Sequence, residues 1–196
     1  MAAFQAWIAE LYAHVGYPQI ILLMALESSL FPVPSELVMI PVGYLAHQGQ
    51  LDPWLAIACG ALGSVFGAGF NYLLGRSLGR AFLLRYGRYL LISEKKYHEA
   101  ETLFLRNARI ATFTGRFLPV IRHLISLPAG VFGMRLVPFV LLTGAGSALW
   151  CSVLVGFGYY FGEPGVALML RYTHELAYVS LAILVLGAGW FLIRRR

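Results

Sequence analysis

The first 75 residues contain no lysine or arginine. Only four acids, Glu10, Glu27, Glu36 and Asp52, carry charge there. Charge is scarce throughout: 12% of the 196 residues, where soluble domains average roughly 25%. The two cysteines, Cys59 and Cys151, sit in separate apolar stretches and read as buried free thiols, so a disulfide scaffold is not expected. His14, His47, His98 and His174 are scattered without metal-ligand spacing, and no aspartate cluster is present to hold Mg²⁺. Ser35 and Ser126 lack a His–Asp constellation. No metal, cofactor or catalytic residue is therefore expected, and the chain does not read as an enzyme. No basic n-region precedes an apolar run and a small-residue cleavage site, so no signal peptide is expected.

What is present is apolar. The chain is 59% hydrophobic with a mean hydropathy of +0.72, the composition of a single-domain integral membrane protein. Residues 54–75 and 136–162 are free of charge and long enough to cross a bilayer, which takes about 20 apolar residues. Residues 176–193 form a third, shorter span, closed by Trp190 and the Arg194–Arg195–Arg196 triplet. All fifteen basic residues follow residue 75, and eight of them lie within 76–109. The positive-inside rule places that segment and the C-terminus in the cytoplasm. Topology and anionic headgroups account for this basic stretch, so nucleic acid is not a predicted partner.

Two charged, proline-broken segments interrupt the apolar sequence. The first runs from Glu27 through Pro32, Pro34 and Ser35 to Glu36; the second carries Gly115, Arg116, Pro119, Arg122, His123, Pro128 and Gly130. Ionisable residues within a membrane mark a substrate or ion path. Paired broken segments in two halves of a membrane protein point to a transport site. The arms of 17–51 are too short for two crossings. Segment 109–135 must enter and leave on the cytoplasmic side if the spans on either side of it are to alternate. Both therefore read as re-entrant hairpins. Residues 80–108 read as an amphipathic cytoplasmic helix and 2–15 as its shorter outer counterpart. A second arrangement stays open, in which 4–24 crosses and the N-terminus is cytoplasmic.

A faint repeat supports this division. Pro41-Val-Gly43, Pro53 and a glycine-rich helix echo Pro128-Ala-Gly130, Pro138 and a second glycine-rich helix. One crossing per unit inverts the second copy. The expected fold is an all-α membrane protein, an inverted repeat of hairpin plus spanning helix, with an additional C-terminal span. The many span glycines permit close helix approach rather than forming a phosphate loop.

On an unbroken helix Arg116 and Arg122 would project about 120° apart. Pro119 lies between them, and a turn there aims both guanidiniums into one cavity. Arginine suits phosphate because its planar fork binds two oxygens at once. The Pro32 and Pro34 break brings Glu27 and Glu36 together in the same way. Ion pairs serving only to hold the hairpins would use the same residues, but buried pairs often fail to repay desolvation. The preferred reading has Arg116 and Arg122 binding phosphate and Glu27 and Glu36 exchanging protons. Burial and a neighbouring carboxylate both favour the protonated acid. His123 reads as an ordinary hydrogen-bonding residue near the cavity. Asn71 either lines the cavity or bonds a neighbouring helix. Arg109 and Arg135 flank the second hairpin at headgroup level.

Over residues 20–165 the sequence resembles the DedA family of bacterial inner-membrane proteins, also called SNARE-associated or VTT-domain proteins. Glu27…Pro32-x-Pro34-Ser35-Glu36 is similar to the family's acidic first hairpin. Gly115-Arg116-Phe117-x-Pro119-x-x-Arg122 with Pro128-Ala-Gly130 is similar to its second hairpin and is the most specific motif. Asn71-Tyr72-x-x-Gly75-Arg76 and Trp150…Gly156…Gly162 also fit. The resemblance implies opposed re-entrant hairpins and translocation of lipids, among them undecaprenyl phosphate and phosphatidylethanolamine, often dependent on the proton-motive force. It implies that the family's functional acids are Glu27 and Glu36 and its paired arginines Arg116 and Arg122. In some members the second acid is an Asp at a longer spacing.

The leading expectation is a proton-coupled lipid translocase for a phosphorylated lipid, in the bacterial inner membrane. Its partners are the lipid and protons, and a homo-oligomer is left open. The alternatives are a proton-coupled exporter of small ions or drugs and a membrane-embedded lipid phosphatase.

Overall fold

A computed structural model describes residues 15–29, 34–79, 94–162 and 164. The expected elements at 2–15 and 176–193, the start of 80–108, and Pro32 lie outside these residues, apart from Val15. All regular structure among the described residues is helical.

Helix α1 covers Tyr17–Glu27 and α2 covers Glu36–His47. At 11 and 12 residues each is about 17 Å long, roughly half the hydrocarbon thickness. Helix α3 begins at Pro53, which needs no amide partner in the first turn. Its N-cap, Asp52, accepts a hydrogen bond from the Leu55 amide (2.8 Å), and the Asp52 amide donates to the Tyr17 hydroxyl (2.9 Å). The α-helix covers Pro53–Leu74 and continues as a π-helical turn, Gly75–Gly79.

Helix α4, Glu94–Thr114, runs without interruption past residue 109, because no proline or glycine intervenes before Gly115. The surface helix and the start of the expected second hairpin are thus one helix. A 3-10 turn (Gly115–Phe117), α5 (Pro119–Leu124) and α6 (Ser126–Val131) follow. Helix α7, Leu136–Gly162, completes the described chain. Pro53–Ser77 and Leu136–Gly162 are both long and apolar enough to cross a membrane. Phe66, Leu141 and Val153 point outward from them, more than half exposed, as lipid contacts require.

Small residues set the crossings. A Cβ on Gly63 would strike the Ile21 carbonyl oxygen, and one on Gly67 that of Ala25, so α1 runs beside α3 in the same direction. On α7, Gly146 faces the Phe113 carbonyl and the Arg116 side chain, and the Phe117 and Trp150 rings meet further along, so the end of α4 runs parallel to α7. Gly43 faces the Val155 carbonyl and Gly158 the Ile40 carbonyl, which makes α2 antiparallel to α7. Gly130 faces the Tyr72 carbonyl and Gly75 the Leu127 carbonyl, which makes α6 antiparallel to α3. Each second arm thus packs on the spanning helix that follows the other arm pair.

Ile20, Met24, Met39, Cys59, Cys151 and Val155 form one apolar core. Ala68, Tyr72, Ala129, Met134 and Phe139 form another. In the second, Tyr72 stacks on Phe139 (centroids 4.7 Å) and donates its hydroxyl hydrogen to the Met134 carbonyl (2.5 Å).

Candidate functional site

Between the arm pairs and the two long helices lies a small cavity, with Glu27, Ser28, Arg116, Arg122, Ser64 and Ser147 as its polar wall. Met24, Trp150 and Cys151 complete it. The space left for the centre of a water-sized sphere is about 10 Å³, room for about one water.

Local backbone chemistry brings the two arginines together. Leu118 precedes a proline and takes the extended conformation that proline imposes (φ −102°, ψ 114°). The helical path breaks there. The 3-10 turn carries Arg116 and the restarted helix carries Arg122, with Pro119 as its first residue. Arg116 is 4% exposed and Arg122 8%. Pro128 sits inside α6, and Pro34 lies just ahead of α2.

Arg116 is anchored by uncharged acceptors. Its Nη1 donates to the Arg122 carbonyl (3.2 Å), and its Nη2 donates to the Ser126 hydroxyl (3.0 Å) and the Thr143 hydroxyl (3.1 Å). Its Nε is buried without a hydrogen-bond partner among the described residues. Arg122 instead pairs through Nη2 with Glu27 Oε1. Glu27 is 1% exposed, and its Oε2 accepts from the Ser28 hydroxyl (2.8 Å). One guanidinium is therefore fixed in place and the other is held by a carboxylate.

Glu36 does not join the cavity wall. The preceding residue, Ser35, is fully buried, and its hydroxyl accepts from the Trp150 indole N–H (3.1 Å). Successive helical positions turn by about 100°, so the register that faces Ser35 inward takes Glu36 away from the cavity. The site holds one carboxylate and two guanidiniums, not the expected two of each. His123 Nε2 is 3.9 Å from Glu27 Oε1, too far for a hydrogen bond, and its Nδ1 is buried without a partner. Asn71 is fully buried, and its amide donates to the Ser28 carbonyl (3.2 Å), which ties α3 to the end of α1. Of the two roles open to Asn71, the helix-bonding one is observed.

Sequence reading missed Ser64, Ser147, Trp150 and Cys151 as cavity residues. Serine and cysteine in an apolar span resemble packing residues, and only the fold reveals which face they occupy. Trp150 was legible only as part of a family pattern.

A sequence model of the VTT domain matches residues 33–160. The chain belongs to the VTT-domain, or DedA, family of membrane proteins. Undecaprenyl phosphate transporter A of Bacillus subtilis is 33% identical over 184 residues, covering 93% of this chain and 90% of that one. Inner membrane protein YghB of Escherichia coli is 30% identical over 175 residues, 81% of this chain and 79% of its own. A Lactococcus lactis protein named alkaline phosphatase-like is 31% identical over 199 residues, 97% and 93%. No solved structure matches. This VTT-domain chain is thus related along nearly its whole length to a named lipid-phosphate transporter.

Proposed function

We propose that this protein is a lipid translocase that carries a phosphorylated lipid, such as undecaprenyl phosphate or a phospholipid, across the bacterial inner membrane in a proton-coupled step. The observation that carries this reading is the buried placement of Arg116 and Arg122 on one cavity wall, with Glu27 occupying the anion position on Arg122. Two guanidiniums kept from water at such cost serve an anionic ligand.

The crossings support an inverted repeat. Gly43 meets the residue three before Gly158, and Gly158 meets the residue three before Gly43; Gly130 and Gly75 repeat that relation. The Tyr17–Asp52 bond sets the start of α1 beside the start of α3, and the His47–Tyr159 ring contact sets the end of α2 beside the end of α7. Gly130, Leu127 and Met134 gather instead around Tyr72 and Gly75 at the other end of α3. In this reading 17–51 and 109–135 are hairpins that enter from opposite faces and meet at the cavity. The basic residues put the second hairpin's face and the C-terminus in the cytoplasm.

The chemistry has diverged between the halves. The positions matching Arg116, Ser126 and Thr143 in the first half are Met24, Met39 and Gly60, an apolar set in which a Cβ on Gly60 would lie 2.8 Å from Met39 Cε. The second hairpin supplies the anion site and the first supplies the competing carboxylate.

With Glu27 ionised, Arg122 is occupied. Protonation of Glu27 removes the competing charge and frees Arg122 for a phosphate already attracted by Arg116. Deprotonation toward the other face restores the ion pair and expels the phosphate. Glu36, off the cavity wall, exchanges protons at its margin in this scheme. The test is leaflet exchange of labelled undecaprenyl phosphate and phosphatidylethanolamine in proteoliposomes, with and without a pH gradient, beside Arg116→Ala and Arg122→Ala. Exchange that requires both arginines and follows the gradient is expected. No exchange by folded protein, with dissipation of the gradient by water-soluble cations, would replace this reading with a small-ion exporter. Release of inorganic phosphate from the lipid would replace it with an enzyme.

A further inference from the structure

Two serines in the cavity wall make no side-chain hydrogen bond among the described residues. Ser64 on α3 and Ser147 on α7 are 3% and 6% exposed. A serine within a helix can return its hydroxyl to a carbonyl one turn back. Exposed Ser77 and half-buried Ser152 do so, to Leu73 (2.7 Å) and Ala148 (2.7 Å). Neither Ser64 nor Ser147 makes such a bond or has another partner among the described residues, yet both border the cavity beside Arg116 and Arg122.

Their positions correspond. Ser64 precedes the crossing glycine Gly75 by eleven residues, and Ser147 precedes its counterpart Gly158 by the same eleven. Ser64 is the twelfth of the 25 residues Pro53–Ser77 and Ser147 the twelfth of the 27 residues Leu136–Gly162, so both hydroxyls lie near the middle of their helices. The two spanning helices thus each present one unpaired donor at the same depth, to the same space. Arg116 adds a third unpaired group there, its buried Nε.

We propose that Ser64 and Ser147 are phosphate ligands that select a monoester over a diester, a claim that rests on Arg116 and Arg122 holding the phosphate. A monoester offers three free phosphoryl oxygens and a diester only two, the fourth position of the diester carrying a second carbon chain. Arg122, released from Glu27, offers its planar fork to two oxygens, and Arg116 adds its free Nε–H from the side. The hydroxyls, approaching from the spanning helices, reach the third oxygen, which a diester lacks. The serines belong to the spans rather than to the hairpins that carry the charges, so they remain beside the phosphate when Glu27 leaves or returns to Arg122.

The experiment measures binding of decyl phosphate and of dihexyl phosphate to the full chain in nanodiscs, by calorimetry. Native protein is compared with Ser64→Ala, Ser147→Ala, the double variant, and Ser64→Thr and Ser147→Thr, which keep the hydroxyl. Each alanine change is expected to weaken decyl phosphate binding by about tenfold, the worth of one hydrogen bond to a charged group. Dihexyl phosphate binding should change less than about threefold, and the threonine variants should keep the native preference for decyl over dihexyl phosphate. Equal losses for both ligands, or none for either, would overturn the assignment of the serines while leaving the arginine site standing. Failure of the native chain to bind either phosphate would overturn the arginine site and the serine assignment together. Thermal unfolding of each variant separates lost contacts from lost structure.

Discussion

Arg116 donates through Nη1 to the main-chain carbonyl of Arg122 at 3.2 Å, so the first guanidinium is positioned by the backbone that carries the second. The bond spans the break at Leu118 and Pro119. It couples the geometry of the 3-10 turn to that of the helix beyond it. The two cations are separately held: one by dipoles, the other by a carboxylate.

Arg116→Lys is therefore not conservative. A lysine ammonium cannot reach the Arg122 carbonyl, Ser126 and Thr143 with a planar fork. At least one buried acceptor is left unpaired, at about 1–3 kcal/mol. Lipid exchange by Arg116→Lys should fall about tenfold or more, and its thermal midpoint should drop. Native exchange rates in that variant would show that only the charge matters.

Glu27→Gln should abolish the response of transport to pH while leaving phosphate binding intact or stronger. The charged and titratable groups around Glu27 are Arg122, Arg116 and His123, with the Cys151 thiol nearby. Among the described residues, Glu27 is the only carboxylate on the cavity wall. In native protein, phosphate binding should strengthen as pH falls, because protonation removes the competitor for Arg122. Binding measured from pH 5 to 9 checks the sign. Arg122→Ala alone strands a buried carboxylate and should cost about 3–5 kcal/mol of stability, whereas Glu27→Gln with Arg122→Ala should recover much of it. A double-mutant cycle by chemical denaturation reads that recovery.

How much of this was readable without coordinates depends on the kind of signal. The spans 54–75 and 136–162 were legible because a long charge-free run has few alternatives. The convergence of Arg116 and Arg122 was legible because Pro119 lies between them. The place of Glu36 was not. It turns on a single residue of register at Ser35, which the Trp150 contact and the Ser35 carbonyl's bonds to the Val38 and Met39 amides fix. The glycine crossings were also hidden. In the proposed repeat Gly158 answers Gly75, and what supports that match is which carbonyl each glycine meets rather than any sequence identity. Ser64 and Ser147 carry no sequence signal beyond following a glycine.

The crossing glycines predict a contrast within one residue type. Gly130→Ala and Gly43→Ala place a methyl against the main-chain carbonyls of Tyr72 and Val155. Backbone cannot yield as a side-chain tip can, so each should cost about 1–3 kcal/mol. Gly69→Ala and Gly156→Ala meet nothing within 4 Å and remove the entropic penalty of a helical glycine. They should be neutral, or stabilising by up to about 1 kcal/mol. Unfolding in detergent should place the two pairs on opposite sides of the native midpoint. Equal effects would mean the carbonyl contacts do not set the helix spacing.

Trp150→Phe tests how the start of α2 communicates with the turn at Arg116. The indole donates to Ser35 at the start of α2, and the ring meets Phe117 beside Arg116 at a centroid distance of 6.5 Å. Trp150 thus touches the start of α2 and the 3-10 turn that carries Arg116, both from α7. Phenylalanine keeps the ring contact and loses the hydrogen bond, leaving the Ser35 hydroxyl buried without a donor. Stability should fall by about 1–2 kcal/mol. If the bond holds the first hairpin closed over the cavity, phosphate should reach Arg122 more readily, so binding tightens while the pH needed for half-maximal binding rises. Ser35→Ala removes the same bond from the other side and should shift binding in the same direction. A shift seen in only one of the two variants would assign the effect to ring size or local packing rather than to the bond that joins Trp150 to Ser35.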